Sequence, residues 1–192
     1  MFWALIFSCT LHARKKYIQL DERVVAHNIC EQSNSMRLNH NQSSLTVDAV
    51  LNKTAQRYAK VLRKGDFFSH IHENSTIERT PLDRVLYSGG VQATTAENLA
   101  KISVLQLPVE KFQVHVVDHK KSLYRKKNNM SLIPHHTNIT AARTLVQSWM
   151  DSKVHRENLL FPTMTHIGCG SSIMFLPNKV PMIIAVEILQ SQ

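Results

Sequence analysis

The stretch 149–170, WMDSKVHRENLLFPTMTHIGCG, restricts the fold of this chain more than any other, because a helix end, a histidine, a turn and a glycine-framed strand follow one another without spacers. Ala142, Leu145, Val146, Trp149 and Met150 recur at three-and-four spacing and form one apolar stripe, with Arg143, Gln147 and Asp151 on other faces. The run His155 to Leu160 reads as one further helical turn. Pro162 stops it, since the proline ring cannot continue a helix. In Ile167-Gly168-Cys169-Gly170, two glycines around a small residue predict a strand that another part of the chain approaches closely. His155 is thereby held between a buried helix and a buried strand.

The same periodicity organises the rest. Tyr17, Leu20, Val24, Val25 and Ile29 predict a first helix ending near Ser33, and the polar stretch 31–44 reads as a loop. A second helix is expected from Thr46 as N-cap, carrying Val47, Val50, Leu51, Ala55, Tyr58 and Leu62 on one side and closing at Gly65. Phe67 and Phe68 then anchor a loop in the core beside Ser69 and His70. Thr80-Pro81-Leu82-Asp83 is a helix start with a reciprocal cap, ended by Gly89-Gly90. Phe112, Val114 and Val116 alternate with polar residues as one strand or half a hairpin, and 119–127, HKKSLYRKK, reads as an exposed basic run. The helix over Trp149 starts at Thr137 or Asn138. Strands over 165–175 and 182–189, joined by a turn at Pro177-Asn178-Lys179, form a C-terminal β-hairpin. Early helices and late paired strands give an α+β class or an α-β-α layered domain.

A chain of 192 residues that is 43% hydrophobic suits one domain with an ordinary core, here 18–192, and is too apolar for wholesale disorder. No apolar run approaches the roughly 20 residues that span a bilayer, so no transmembrane span is expected. The first 13 residues, MFWALIFSCTLHA, resemble the apolar core and cleavage site of a signal peptide, without the usual basic leader. Cleavage there leaves Cys30 and Cys169, an even pair that forms either one disulfide or two buried thiols. The net charge of +9 favours anionic partners, and it is concentrated: between Lys101 and Lys127 stand seven Lys or Arg against Glu110 and Asp118. Lys120, Lys121, Arg125, Lys126 and Lys127 are the anion-binding candidates. Export, and the lack of a nucleic-acid-binding motif, argue against DNA or RNA as partner.

His70, Glu97 and His155 each stand at the edge of a well-formed element. Two imidazoles and a carboxylate can hold a divalent cation such as zinc with one position open, or can pass protons. Their separation in sequence is too long for a local motif. Singly, each is also explained as a cap, a loop hydrogen-bonder or a charge at a helix end.

Taken in order, DFFSH at 66–70, TPLDR at 80–84, AENLA at 96–100 and W-M-x-S-x-x-H-R-x-N-L-L-x-P-x-x-T-H-I-G-x-G at 149–170 resemble the signatures of the CAP superfamily, also called the SCP domain, in its bacterial-type branch. The resemblance implies a three-layer α-β-α sandwich. It also implies a cleft cluster of two histidines and two glutamates, whose histidines bind a metal in some members. By motif, these positions fall on His70, Glu97 and His155, with His70 and His155 as metal ligands. The second glutamate's place is taken by Ser152; Asp151 is adjacent but on another helix face, and Glu187 stands where relatives often have glutamine. Ala96 and Val154 replace two glycines of the pattern, and the insertion 102–136 is longer than usual.

The expected function is that of a secreted or cell-envelope module that binds a ligand, lipid or glycan in class, through a His/Glu cleft that holds a divalent metal and no organic cofactor. A metal-dependent or serine-type hydrolase is the alternative, with Ser69 and His70 as its catalytic candidates, although adjacent residues rarely face each other and no oxyanion hole is visible. Docking to an anionic surface through the basic insertion is the third reading.

Overall fold

A computed structural model describes residues 18–107, 114–118, 123–126, 131–176 and 179–192. The signal segment expected over 1–13 and the turn residues Pro177 and Asn178 lie outside them. In chain order the described elements are α1 (Glu22–Asn39), β1 (Thr46–Val47), α2 (Ala49–Leu62), α3 (Pro81–Tyr87), β2 (Thr94–Ser103), β3 (Val114–Asp118), β4 (Leu123–Lys126), α4 (Asn138–Asp151), α5 (Lys153–Leu159), β5 (His166–Met174) and β6 (Met182–Ser191). One sheet has the order β1-β5-β6-β2, with β1 parallel to β5 and the other pairs antiparallel; β3 and β4 form a separate antiparallel pair.

Strand alternation sends successive residues to opposite faces, and each face has its own apolar core. Ile29, Leu145, Val146, Trp149, Leu159, Ile167 and Leu189 belong to the core beneath α1, α4 and α5. Leu51, Ala55, Tyr58, Leu62, Val85, Leu99, Val186 and Ile188 belong to the core beneath α2 and α3. The layers are thus helix, sheet, helix, as expected.

The glycine-framed strand has a specific cause. A Cβ on Gly168 would lie 2.2 Å from the carbonyl carbon of Leu51, and one on Gly170 would lie 2.2 Å from the backbone nitrogen of Gln56. The backbone of α2 therefore rests directly on β5. Beyond the two residues paired with β1, the outer edge of β5 is closed by side chains instead of a strand. Asn52 Oδ1 accepts from the Cys169 amide at 2.8 Å, Gln56 Nε2 donates to the Ser171 carbonyl at 2.7 Å, and Glu22 Oε1 accepts from the Ile173 amide at 2.8 Å. These contacts satisfy backbone groups that would otherwise offer an edge for strand addition. On the opposite face of β5, Cys169 is joined to Cys30 of α1 by a disulfide.

Several local expectations need correction. The first helix begins at Glu22, where Asp21 accepts from the Arg23 and Val24 amides, and it runs past Ser33 to Asn39. Its last turns lack apolar periodicity because the buried residues there are polar: Ser33 and Arg37 are both fully enclosed. Arg37 donates to the carbonyls of Ser43 (2.8 Å), Leu159 (2.7 Å) and Phe161 (3.1 Å), so it ties α1 to the end of α5. Val24, placed in the stripe by spacing, is 41% exposed. The cap of α2 is Asp48, not Thr46, because Thr46 and Val47 are drawn into pairing with His166 and Ile167. Phe68 is exposed rather than anchored, with the Lys101 ammonium 5.0 Å above its ring, while Phe67 stacks on His72 at 5.2 Å. Tyr124, within the run read as exposed, is fully buried on β4. Arg125 and Lys126 fall on β4, and Lys120, Lys121 and Lys127 lie outside the described residues. The reciprocal caps at Thr80 with Asp83 and at Thr137 with Thr140 are present, and Gly89 takes the left-handed conformation (φ 92°) after α3.

Candidate functional site

β2 is the last strand of the sheet, and two consecutive residues on it hold the segments that carry the histidines. Glu97 faces the α2 and α3 layer; Asn98 faces α1, α4 and α5. Glu97 Oε1 accepts from His70 Nδ1 at 2.9 Å, and Oε2 accepts from Arg84 Nη2 at 2.7 Å. Asn98 Nδ2 donates to the His155 carbonyl at 3.1 Å, and Asn98 Oδ1 accepts from Asn158 Nδ2 at 3.0 Å. A histidine from each helical layer is in this way referred to the same strand edge.

The His70 side is built around a buried ion pair. The Arg84 and Glu97 side chains are 2% and 1% exposed, so the pair is dry and its charges are mutually compensated. Arg84 also donates to the carbonyls of Arg79 (3.1 Å) and His70 (3.1 Å), and its guanidinium lies 3.6 Å from the centroid of the Tyr58 ring. The Tyr58 hydroxyl donates to the Ser69 carbonyl at 2.6 Å. Burial, more than the partly cancelling charges of Arg84 and Glu97, pushes the Tyr58 phenol up to about 12, so it remains a donor at physiological pH. Two side chains, Arg84 and Tyr58, thus fix the main chain at 69–70, and Glu97 fixes the His70 ring. An ionised carboxylate only accepts, so Nδ1 of His70 supplies the hydrogen of this contact and Nε2 is the ring nitrogen outside it, the orientation typical of a metal-binding imidazole backed by a carboxylate.

On the other side His155 is half-buried at the start of α5. Burial first, and the nearby charge of His70 second, lower its proton affinity below the ordinary histidine value. It is therefore a neutral imidazole at pH 7, as a ligand must be.

Both Glu97 oxygens are engaged, so this carboxylate orients His70 and is not itself free to bind a cation. Among the described residues, no three His, Cys, Asp or Glu side chains converge as a ready metal cage. Ser152, at the junction of α4 and α5, offers no carboxylate, and Asp151 is exposed and bonded to Gln147 at 2.8 Å. Glu187 is on the wrong face: it pairs in register with Asn98, whereas Glu97 pairs with Ile188. The side chains that remain as candidate donors are the imidazoles of His70 and His155. Ser69 is exposed, and its hydroxyl accepts from the Ile71 amide at 3.1 Å while the His70 ring turns to Glu97. That arrangement holds no nucleophile and base in contact. Arg84, Asn98 and Tyr58 escaped the sequence reading as parts of the site, although Arg84 and Asn98 stand inside the quoted motifs TPLDR and AENLA.

Comparison with known proteins agrees with this architecture. The chain is 25% identical over 142 residues to the uncharacterised protein YkwD of Bacillus subtilis, covering 74% of this chain and 40% of the relative. An extracellular SCP-domain protein of Bacillus anthracis superposes with a TM-score of 0.57 at 20% identity, over 89% of this chain and 41% of that one. An outer surface protein of Borrelia burgdorferi superposes at 0.56 with 16% identity, over 90% of this chain and 96% of that one. The chain thus spans about two fifths of the length of the Bacillus relatives. The model of the CAP, or cysteine-rich secretory protein, family matches residues 31–173, and with the sandwich and the motifs in place the chain belongs to that family.

Proposed function

We propose that this chain is an extracellular or cell-envelope ligand-binding module, not an enzyme, and that its ligand engages a divalent metal such as zinc held by His70 and His155. The observation that carries the reading is the pairing of Glu97 and Asn98, which fix a histidine segment on each side of one strand edge. Extracellular and surface relatives, the disulfide, and the absence of any long apolar helix among the described residues support the location. His70 Nε2 and a neutral His155 would hold the ion, which supplies a Lewis-acidic anchor for an oxygen-bearing group of a lipid or glycan. Glu97 and Arg84 keep the first imidazole in place. Asn98 holds the backbone of the second.

Calorimetric titration with zinc tests this. Heat release in wild type that is lost in both His70→Ala and His155→Ala, and weakened about 10- to 100-fold in Glu97→Gln, is the expected result. Identical titrations for wild type and both histidine variants refute the site.

A further inference from the structure

The opposite face of the sheet carries a cluster that shares only Asn98 with the site of His70 and His155. Asn98, Glu187 and Cys169 stand in register across β2, β6 and β5, and Cys169 is bonded to Cys30 of α1. Ser33, one turn beyond Cys30, donates its hydroxyl to Glu187 Oε1 at 2.5 Å, and Asn98 Nδ2 donates to Oε2 at 2.9 Å. Directly opposed residues on one sheet face have Cβ atoms about 5 Å apart, so Glu187 and Cys169 are cross-strand neighbours on the face that carries the disulfide. Glu187 is fully buried, and burial outweighs its two hydrogen bonds and the charge of Arg37, pushing it up to about 7. A large share of the acid therefore keeps its proton near neutrality.

The disulfide also lines a cleft of about 310 Å³ between α1 and α2. Ala26 and the two cysteines contribute apolar wall; Arg23 and Lys53 contribute cations and His27 an imidazole. Among the described residues none of these three side chains is paired with a carboxylate. A buried acid thus stands one strand in from Cys169, and the disulfide itself forms part of the wall of a cationic opening.

We propose that this cleft is a thiol–disulfide exchange site, at which a small thiol bearing carboxylates opens the Cys30–Cys169 bond while Glu187 protonates the departing sulfur. The incoming thiolate bonds to Cys30 Sγ; the S–S bond breaks and its electron pair passes to Cys169 Sγ. The Glu187 proton converts that sulfur to a thiol, and the carboxylate left behind keeps the Ser33 and Asn98 donors. A second thiolate attacks the incoming molecule's sulfur, releasing the oxidised small disulfide and Cys30 as a thiolate stabilised by Arg23 and Lys53. The two external thiols are oxidised and the protein disulfide is reduced. The proposal is independent of the metal site.

The test follows free-thiol formation by maleimide mass shift in the full chain at pH 7 and low salt, with circular dichroism reporting the fold. Glutathione, which is anionic, is compared with uncharged 2-mercaptoethanol at equal thiolate concentration. The expected result is opening without loss of fold, several-fold faster with glutathione. The double variant Arg23→Gln, Lys53→Gln erases that preference, and Glu187→Gln slows both thiols by about tenfold or more. Opening only at the rate of global unfolding overturns the proposal. So does an equal rate for the two thiols at matched thiolate, or a Glu187→Gln rate equal to wild type; the exposed-charge variants keep the test decisive if Glu187→Gln fails to fold.

Discussion

Glu187→Gln keeps the shape of the side chain and the acceptor for Asn98, places an NH2 that the Ser33 hydroxyl can reverse to accept, and removes the titration, so it isolates the effect of the buried acid on stability. In the folded chain the carboxyl is raised from 4.5 to about 7, chiefly by burial. The folded state therefore holds a proton that the unfolded chain releases. Stability from this group is fully present below pH 4.5 and is lost as pH rises through about 7. At about 1.4 kcal/mol per pKa unit, the loss amounts to about 3 kcal/mol, most of it between those two values. Urea unfolding of wild type and Glu187→Gln at half-unit intervals from pH 4 to 8.5 measures it. The wild-type midpoint should fall relative to the variant across the window and run parallel above it, with unchanged slopes. A flat difference, or a wild type that gains on the variant as pH rises, would mean that Ser33, Asn98 and Arg37 outweigh burial and hold the group ionised, and the reasoning would fail.

Gly168→Ala and Gly170→Ala each place a methyl against α2 backbone, and each should lower stability by about 3 kcal/mol or more, read from thermal or urea unfolding; a loss below about 0.5 kcal/mol would show that helix and strand can separate cheaply. Arg84→Met leaves Glu97 buried without its cation and should cost about 3–5 kcal/mol, whereas Arg84→Met with Glu97→Gln should recover part of it; additive losses in the double variant would deny the coupling. The Cys30→Ala, Cys169→Ala pair opens a loop with a sequence separation of 139, for which chain entropy alone gives about 5 kcal/mol. Calorimetry should show a correspondingly lower Tm, and an unchanged Tm would contradict a native-state bond.

Much of this architecture was legible because apolar periodicity and turn chemistry agree with each other. Thr80-Pro81-Leu82-Asp83 announced its cap, the start of the helix over Trp149 was legible to within Thr137 or Asn138, and Gly168-Cys169-Gly170 announced a close neighbour, though not that the neighbour is α2. The failures at α1 and in the cleft share a physical cause: long-range polar burial leaves no local signal. The second half of α1 looks like a loop because Ser33 and Arg37 are buried against Glu187 and the α5 carbonyls, partners more than a hundred residues away. The same holds in the cleft, where motifs located His70, Glu97 and His155 but not Arg84 or Asn98, which give those residues their orientation. Thr46 lost its capping role to a strand partner 120 residues distant, a pairing that depends wholly on tertiary folding.

The backbone contact between α2 and β5 has a consequence for how such a domain can diverge. Where side chains set the distance between two elements, each exchange of Leu for Val or Phe changes the gap and carries whatever is attached along with it. Here the gap has no side chain in it at Gly168 and Gly170, so its width is independent of which hydrophobic residues fill the layer elsewhere. The far end of α2 leads straight into the loop bearing His70. Descendants of this sequence can therefore exchange most of the residues under that helix while the histidine keeps its distance from β2, provided the two glycines persist.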